Sequence, residues 1–447
     1  MAKIAFIGAG STIFMKNILG DALHFPALAD STFAMMDIDD GRLKESETVA
    51  KKLVQAMGTG ASVETHLQAR TALDGADFVV VAFQIGGYRP CTVTDFEIPR
   101  EYGLRQTIGD TLGIGGIMRG LRTVPHLWAL AEDMREMCPD ALMLQYVNPM
   151  AINTWALTER FPDIQQVGVC HSVQNTVQEL SHDLDIDPAS LLYKVAGVNH
   201  VAFFLHLHQQ LADGETRNLY PLLREGYAQG SLPKPPLLMP RCPNKVRYEV
   251  MRHLGYFCTE SSEHLAEYVP WFIKSHRPDL IDQFQIPLDE YPKRCEEQIA
   301  EWTTQAQQFA GDDAIEVTKS HEFAADIMNS VVTDTPYEFY GNLANTGQIP
   351  QLPLGASVET PCVVDNSGVR AERVEDIPPQ LVALMRTQIN VHELTVRALT
   401  EENAEHIYHA AMLDPHTAAE LDLSQIRAIV DELRAAHGDW LPDWARA

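Results

Sequence analysis

Short, almost unbroken apolar runs alternate with helical periodicity through the first half of the chain. Ile4–Ile7, Phe33–Met36, Phe78–Phe83, Ala141–Val147 and Gln166–Cys170 read as strands. Between them, Ser11–Leu23, Asp40–Met57 and His126–Met137 carry apolar residues at helical spacing. Strands apolar at nearly every position are buried on both faces, and strands separated by helices pair in parallel. The predicted fold class is therefore α/β, a doubly wound sheet with helices on both sides. After about residue 190 the rhythm changes. Tyr193–His208 reads as extended, Leu232–Pro240 is a proline-rich connection, and helical segments follow at Asn244–Leu254, Tyr291–Phe309, Leu381–Thr400 and Leu423–Ala436.

In such a sheet, function collects at the carboxyl ends of the strands. The first candidate strand runs into Gly8-Ala9-Gly10-Ser11-Thr12 and then directly into a helical pattern. Glycines let backbone approach a pyrophosphate, and the helix start offers free N–H groups and positive partial charge. Asp37 ends the second strand, where a carboxylate suits the paired ribose hydroxyls of NAD and disfavours the 2′-phosphate of NADP. Ile13 takes the place of the usual third glycine. Gly8, Gly10, Ser11, Thr12 and Asp37, with Gln84 at the third strand's end, form the expected cofactor set. The expected organisation is a Rossmann-type NAD-binding domain over residues 1–192, followed by an α+β domain over 193–447. The second domain is expected to bind substrate, mediate oligomerisation and close over the first domain's carboxyl edge.

Composition narrows the partners. The 447 residues carry a formal charge of −27, which repels nucleic acid and anionic membrane surfaces. No apolar stretch reaches the length of a membrane span. The first strand begins almost at the first residue, which leaves no room for a signal peptide. Seven cysteines lie scattered without close pairs, so a reducing cytoplasm is the expected compartment.

Several segments bear groups that could do chemistry, and each also has a plain structural reading. Asp110-Thr-Leu-Gly-Ile-Gly-Gly116 is either a ligand loop or an ordinary one. Asn148, before Pro149, either contacts a hydroxylated ligand or forms an Asx-turn. Cys170, at a strand end that opens a helix, is either a metal-binding thiolate or a small buried residue. His200 lies some thirty residues on, and no spacing rule joins the two. Glu260, Glu263, His264 and Glu267 share one helical face. They read either as proton-moving groups or as a solvated helix start capped by Ser261 or Ser262.

Four landmarks together resemble glycoside hydrolase family four: Phe6-Ile-Gly-Ala-Gly-Ser11, Tyr146-Val-Asn-Pro-Met150, Cys170-His-Ser-Val173 and Gly197-Val-Asn-His200. The resemblance continues through Thr259-Glu-Ser-Ser-Glu-His264 to His437-Gly-Asp-Trp-Leu441. Cys-His-Ser-Val is its most specific element and resembles the members that cleave unphosphorylated α-galactosides such as melibiose. Family four is an exception to two-carboxylate glycoside hydrolysis. The resemblance implies bound NAD, a divalent metal (typically manganese) and hydrolysis with retention, by oxidation at sugar C3, elimination, addition of water and reduction. It implies Cys170 and His200 as metal ligands and Asn148 as a sugar contact. Tyr268, His264 and Glu260 are candidates for the C2 base. Asp110 is a candidate acid, and His171 stands where some relatives carry one. A homo-oligomer, dimer or tetramer, is also implied. The alternatives are an α-galacturonidase or other family-four glycosidase, or an NAD-dependent sugar or hydroxy-acid dehydrogenase.

Overall fold

A computed structural model describes residues 1–447 except 237–241, 311–316 and 321, together with the side chains of 12, 13 and 303–310. Part of the proline-rich connection and the Thr12 side chain therefore lie outside the described residues.

Six parallel strands form the first half: β1 (Lys3–Ile7), β2 (Thr32–Met36), β3 (Ser62–His66), β4 (Phe78–Val81), β5 (Leu142–Gln145) and β6 (Gln166–Val169). Their spatial order, β3-β2-β1-β4-β5-β6, is the doubly wound arrangement. Alternate residues of one strand enter opposite cores: Ile4 and Phe6 face one layer of helices, Ala5 and Ile7 the other. That is why the strands read as continuous apolar runs. One layer contains Thr12–Leu23, Asp40–Met57 and Ala324–Thr333, and the other contains Gly113–Met137, Met150–Arg160 and Pro379–Glu401. Both layers thus draw a helix from the second half of the chain.

The remaining strands are β7 (Leu191–Val198), β8 (Val201–Gln210), β9 (Thr216–Asn218), β10 (Tyr337–Ala344), β11 (Ser357–Asp365) and β12 (Gly368–Ala371). β10 pairs antiparallel with β6, so the sheet continues through β11, β7, β8 and β9, with β12 beside β11. Three differences from the sequence reading follow from tertiary context. β3 is an edge strand with three exposed residues and no apolar run to betray it. β10 to β12 interrupt what reads as a helical half. Gly113–Gly116, read as loop, is the first turn of a 25-residue helix. A Cβ at Gly115 would lie 2.2 Å from the Gly109 carbonyl oxygen, and one at Gly116 2.6 Å from the Thr111 backbone. These glycines let the preceding loop fold back onto the helix start, which propensity alone disfavours.

Candidate active site

The turn after β1 brings backbone into close approach. Gly8 has φ +90°, and a Cβ there would meet Ala82 O at 2.3 Å. A Cβ on Gly10 would meet Asp37 Oδ2 at 2.6 Å. Gly10 N–H donates to Asp37 Oδ2 at 2.8 Å, and Asp39 N–H to Oδ1 at 2.9 Å. These bonds fix the carboxylate at the end of β2, beside the start of helix Thr12–Leu23. That helix has no acid in its first turn, and Ser11 does not use its hydroxyl as a cap. The cradle fits a pyrophosphate and a diol-bearing ribose. Gln84 lies on the same edge, but its amide donates to Thr92 Oγ1 at 2.8 Å.

A second cluster lies past β6. Cys170 follows that strand directly, and His200 sits in the turn between β7 and β8. Glu260 immediately precedes the short buried helix Ser262–Tyr268. Cys170 Sγ is 3.5 Å from His200 Nε2, and Glu260 Oε2 is 3.6 Å from the same nitrogen. The three donor atoms lie within 4.8 Å of one another. His200 and Glu260 both have φ +64°, a conformation that costs a non-glycine residue of order 1 kcal/mol or more and collects at functional sites. Thiolate, imidazole and carboxylate together suit a divalent transition metal with positions left open.

Burial pushes the Cys170 thiol up, and Glu260 and Glu359 add to the rise. The helix start at Ser172 pulls it down without prevailing, so in place of the expected ready thiolate stands a buried thiol, which would have to give up its proton to ligate a metal. Burial lowers His200 to about 4, which keeps the ring neutral, as a ligand must be. Burial opposes ionisation of Glu260, yet His200 and His264 hold its carboxyl down to about 2.

The surrounding groups orient this cluster. The Tyr268 hydroxyl is 3.2 Å from His200 Nδ1, on the ring edge away from the donors. Burial raises that phenol well above its ordinary range. His264 Nδ1 lies 2.7 Å from Ser261 Oγ and 3.3 Å from Glu260 Oε1, while its Nε2 has no partner among the described residues. Ser261 also caps the helix, but every residue from Ser262 to Tyr268 is buried, so this is no solvated helix start. Asp110 Oδ2 accepts from the Asn148 side-chain amide at 3.1 Å, and Asp110 Oδ1 from Thr111 Oγ1 at 2.7 Å. Asn148 therefore turns toward Asp110 rather than closing an Asx-turn. Arg119 stands 3.8 Å from Asp110. Although burial opposes it, Arg119 and then His264 hold the Asp110 carboxyl down. His171, next to Cys170 in the chain, has its side chain about half exposed and 3.8 Å from Glu322, and it bears on His200 and Glu260 through charge rather than contact.

Sequence reasoning did not find Arg119, Tyr291 or Glu359. Arg119 sits inside a glycine-rich helix start, and its guanidinium lies 5.8 Å from the centre of the Tyr291 ring. Glu359 is fully buried on β11 with Asn342 Nδ2 at 3.5 Å, and burial raises it to about 8. A charged residue inside the strand Ser357–Asp365, flanked by Val358 and Thr360, was the signal available.

The model of the family 4 glycosyl hydrolases matches residues 3–186, and that of their C-terminal domain matches residues 195–417. The chain belongs to this family. An α-galactosidase of Bacillus subtilis (strain 168) is 44% identical, over 99% of this chain and 100% of that one. An α-galactosidase of Rhizobium meliloti (strain 1021) is 30% identical, over 100% of this chain and 90% of its own. The structure of a 6-phospho-α-glucosidase from gut microorganisms, solved with NAD and glucose 6-phosphate, superposes with a TM-score of 0.82 at 19% identity. It covers 99% of each chain and shares the family fold. Among the described residues, no helix of this family-four chain is long and apolar enough to cross a membrane.

Proposed function

We propose that this family-four protein hydrolyses α-galactosides, with NAD and a divalent metal such as manganese as cofactors. The observation that carries the reading is the meeting of two sites on one sheet edge: a dinucleotide cradle at Gly8–Asp37, and a thiol, imidazole and carboxylate donor set at Cys170, His200 and Glu260. Two relatives named α-galactosidase, matched over nearly their whole length, support the galactosyl group.

Gly8 and Gly10 would let the pyrophosphate approach, the Ser11 hydroxyl and the backbone at Thr12 would bind it, and Asp37 would bind the adenine ribose. Cys170, His200 and Glu260 would hold the metal. When bound, NAD supplies a reversible hydride acceptor and the metal a Lewis acid for neighbouring sugar oxygens. Asn148 and Asp110, already hydrogen-bonded to each other, offer a donor and an acceptor to ring hydroxyls. His264 is the best placed to take the sugar C2 proton, because Ser261 and Glu260 orient its Nδ1 and no described residue engages Nε2. Tyr268 orients His200. Asp110, held as a carboxylate by Arg119, is placed to accept a hydrogen bond or a proton from a sugar hydroxyl. His171 lies to one side of these groups.

The division into a nucleotide domain over 1–192 and a substrate domain over 193–447 belongs to the same reading. So do a cytoplasmic setting, which suits seven free cysteines, and a homo-oligomer of dimer or tetramer size.

The test is release of p-nitrophenol from p-nitrophenyl α-galactoside, with NAD, manganese and reductant withheld in turn. Turnover should require both cofactors, with no accumulation of NADH. Equal turnover without either defeats the reading. NADH rising in step with substrate consumed points instead to a dehydrogenase. Sedimentation velocity checks the oligomer.

A further inference from the structure

Asp110 is supplied by a long segment between Tyr102 and Leu112 that crosses the carboxyl edge without regular structure. Three consecutive amides in that segment converge on one side chain. Thr107 N–H donates to Glu267 Oε2 at 2.7 Å, and Gly109 N–H to Oε1 at 2.8 Å. Ile108 N–H reaches both oxygens, at 3.2 and 3.3 Å. Such a run of N–H groups is an anion-binding concavity, and here its anion comes from the protein itself. Burial pushes the Glu267 carboxyl up to about 7, while the amides of Gly109 and Thr107 pull it down. Both oxygens are engaged as acceptors, so the ionised form is the one the geometry fits.

The rest of the segment is held from the same side. Thr107 Oγ1 donates to Glu263 O at 2.7 Å, Tyr291 N–H to Thr107 O at 3.0 Å, and Asp289 N–H to Gln106 O at 2.9 Å. Gly109, at φ +57°, holds a left-handed conformation that strains other residues, with the Phe96 ring 3.1 Å from where a Cβ would lie. Little local structure fixes Asp110. Glu267, on the helix that also carries His264 and Tyr268, engages three consecutive amides of the segment that leads into it.

We infer that Glu267 is a positioning residue that locks the Thr107–Gly109 backbone and thereby registers Asp110 against Asn148 and His264. It ties an acid from the first half of the chain to the proton-moving helix of the second. This rests on the proposed glycosidase reading only for its kinetic consequence; the holding of the loop stands apart from it.

The test uses the full-length holoenzyme and E267Q, D110N and the double variant, each normalised to NAD-occupied sites. In E267Q an amide NH2 replaces one acceptor and faces an N–H donor. Turnover of p-nitrophenyl α-galactoside by E267Q should fall roughly 10- to 100-fold, the range for loss of a supporting hydrogen-bond partner. The double variant should be little worse than D110N alone, because both changes act through Asp110. Amide exchange over residues 105–112 should quicken in E267Q while helix Ser172–Leu184 is unchanged. E267D, which keeps the charge, should recover part of both and serves if E267Q folds poorly. Losses that multiply in the double variant, or exchange over 105–112 unchanged by E267Q, overturn the inference. A parent enzyme inactive on galactosides defeats the functional reading alone, and the exchange measurement still decides whether Glu267 holds the loop.

Discussion

The nucleotide cradle and the donor cluster share one sheet edge but are built in opposite ways. The cradle draws on about thirty consecutive residues, Gly8 to Asp37, and works largely through backbone: glycine turns, a helix start and one carboxylate. The cluster draws on side chains ninety residues apart in sequence, Cys170 to Glu260, which are buried or half-buried and carried partly on left-handed backbone. Backbone recognition needs only a local conformation, so neighbouring residues suffice. A metal needs convergent side-chain atoms with their charges compensated, and only a folded interior provides that.

The contrast can be broken first at its strongest point. C170A or H200A should abolish manganese binding and lower turnover at least a thousandfold, equivalent to about 4 kcal/mol of barrier. NAD affinity, followed by fluorescence quenching, should stay within a few-fold. Parallel loss of NAD binding would mean that the two sites are one unit. The converse change is D37A, which should weaken NAD by about 10- to 100-fold, the loss expected from a charged hydrogen-bond pair. Metal content should not change. A matching fall in bound metal would contradict the separation.

A third measurement asks whether the cluster side carries the cost of buried charge. Burial raises Glu359 to about 8 from its ordinary value near 4.5. The folded state then holds a proton that the unfolded state has released, and stability falls as pH rises from about 4.5 through 8. In urea unfolding the Glu359 share should be a loss of roughly 2 kcal/mol between pH 6 and 8, from a slope of about 1.4 kcal/mol per pH unit, and Glu267, raised to about 7, adds to it. E359Q, which stays neutral, should be flatter over that window. An identical slope in both would place the titration elsewhere. The smallest effect is expected at His171. H171A should change turnover by no more than about three-fold, because its partly solvated ring contacts Glu322 rather than the cluster. A loss as large as that of D110N would restore His171 as the acid.

The parallel half of the fold was legible because strands buried on both faces must be apolar throughout. β3 was not, since an edge strand with exposed residues carries no such demand. Gly113–Gly116 misled because glycine density marks a loop by propensity, whereas here it answers to the close approach of Gly109 and Thr111. Cys170 and His200 stood out only through the family landmarks. Nothing local in Glu267 separates a loop-holding carboxylate from any other acid on a helix.

By itself the sequence determined the alternation of strand and helix, the glycine turn with its partner acid, and membership of a family, because each is written in neighbouring residues. Tertiary structure alone decided that the sheet runs on through β10, that Glu260 joins Cys170 and His200, and which groups orient His264 and Asp110. Those outcomes depend on contacts between segments far apart in the chain, where burial and charge compensation, rather than local propensity, set the free energy.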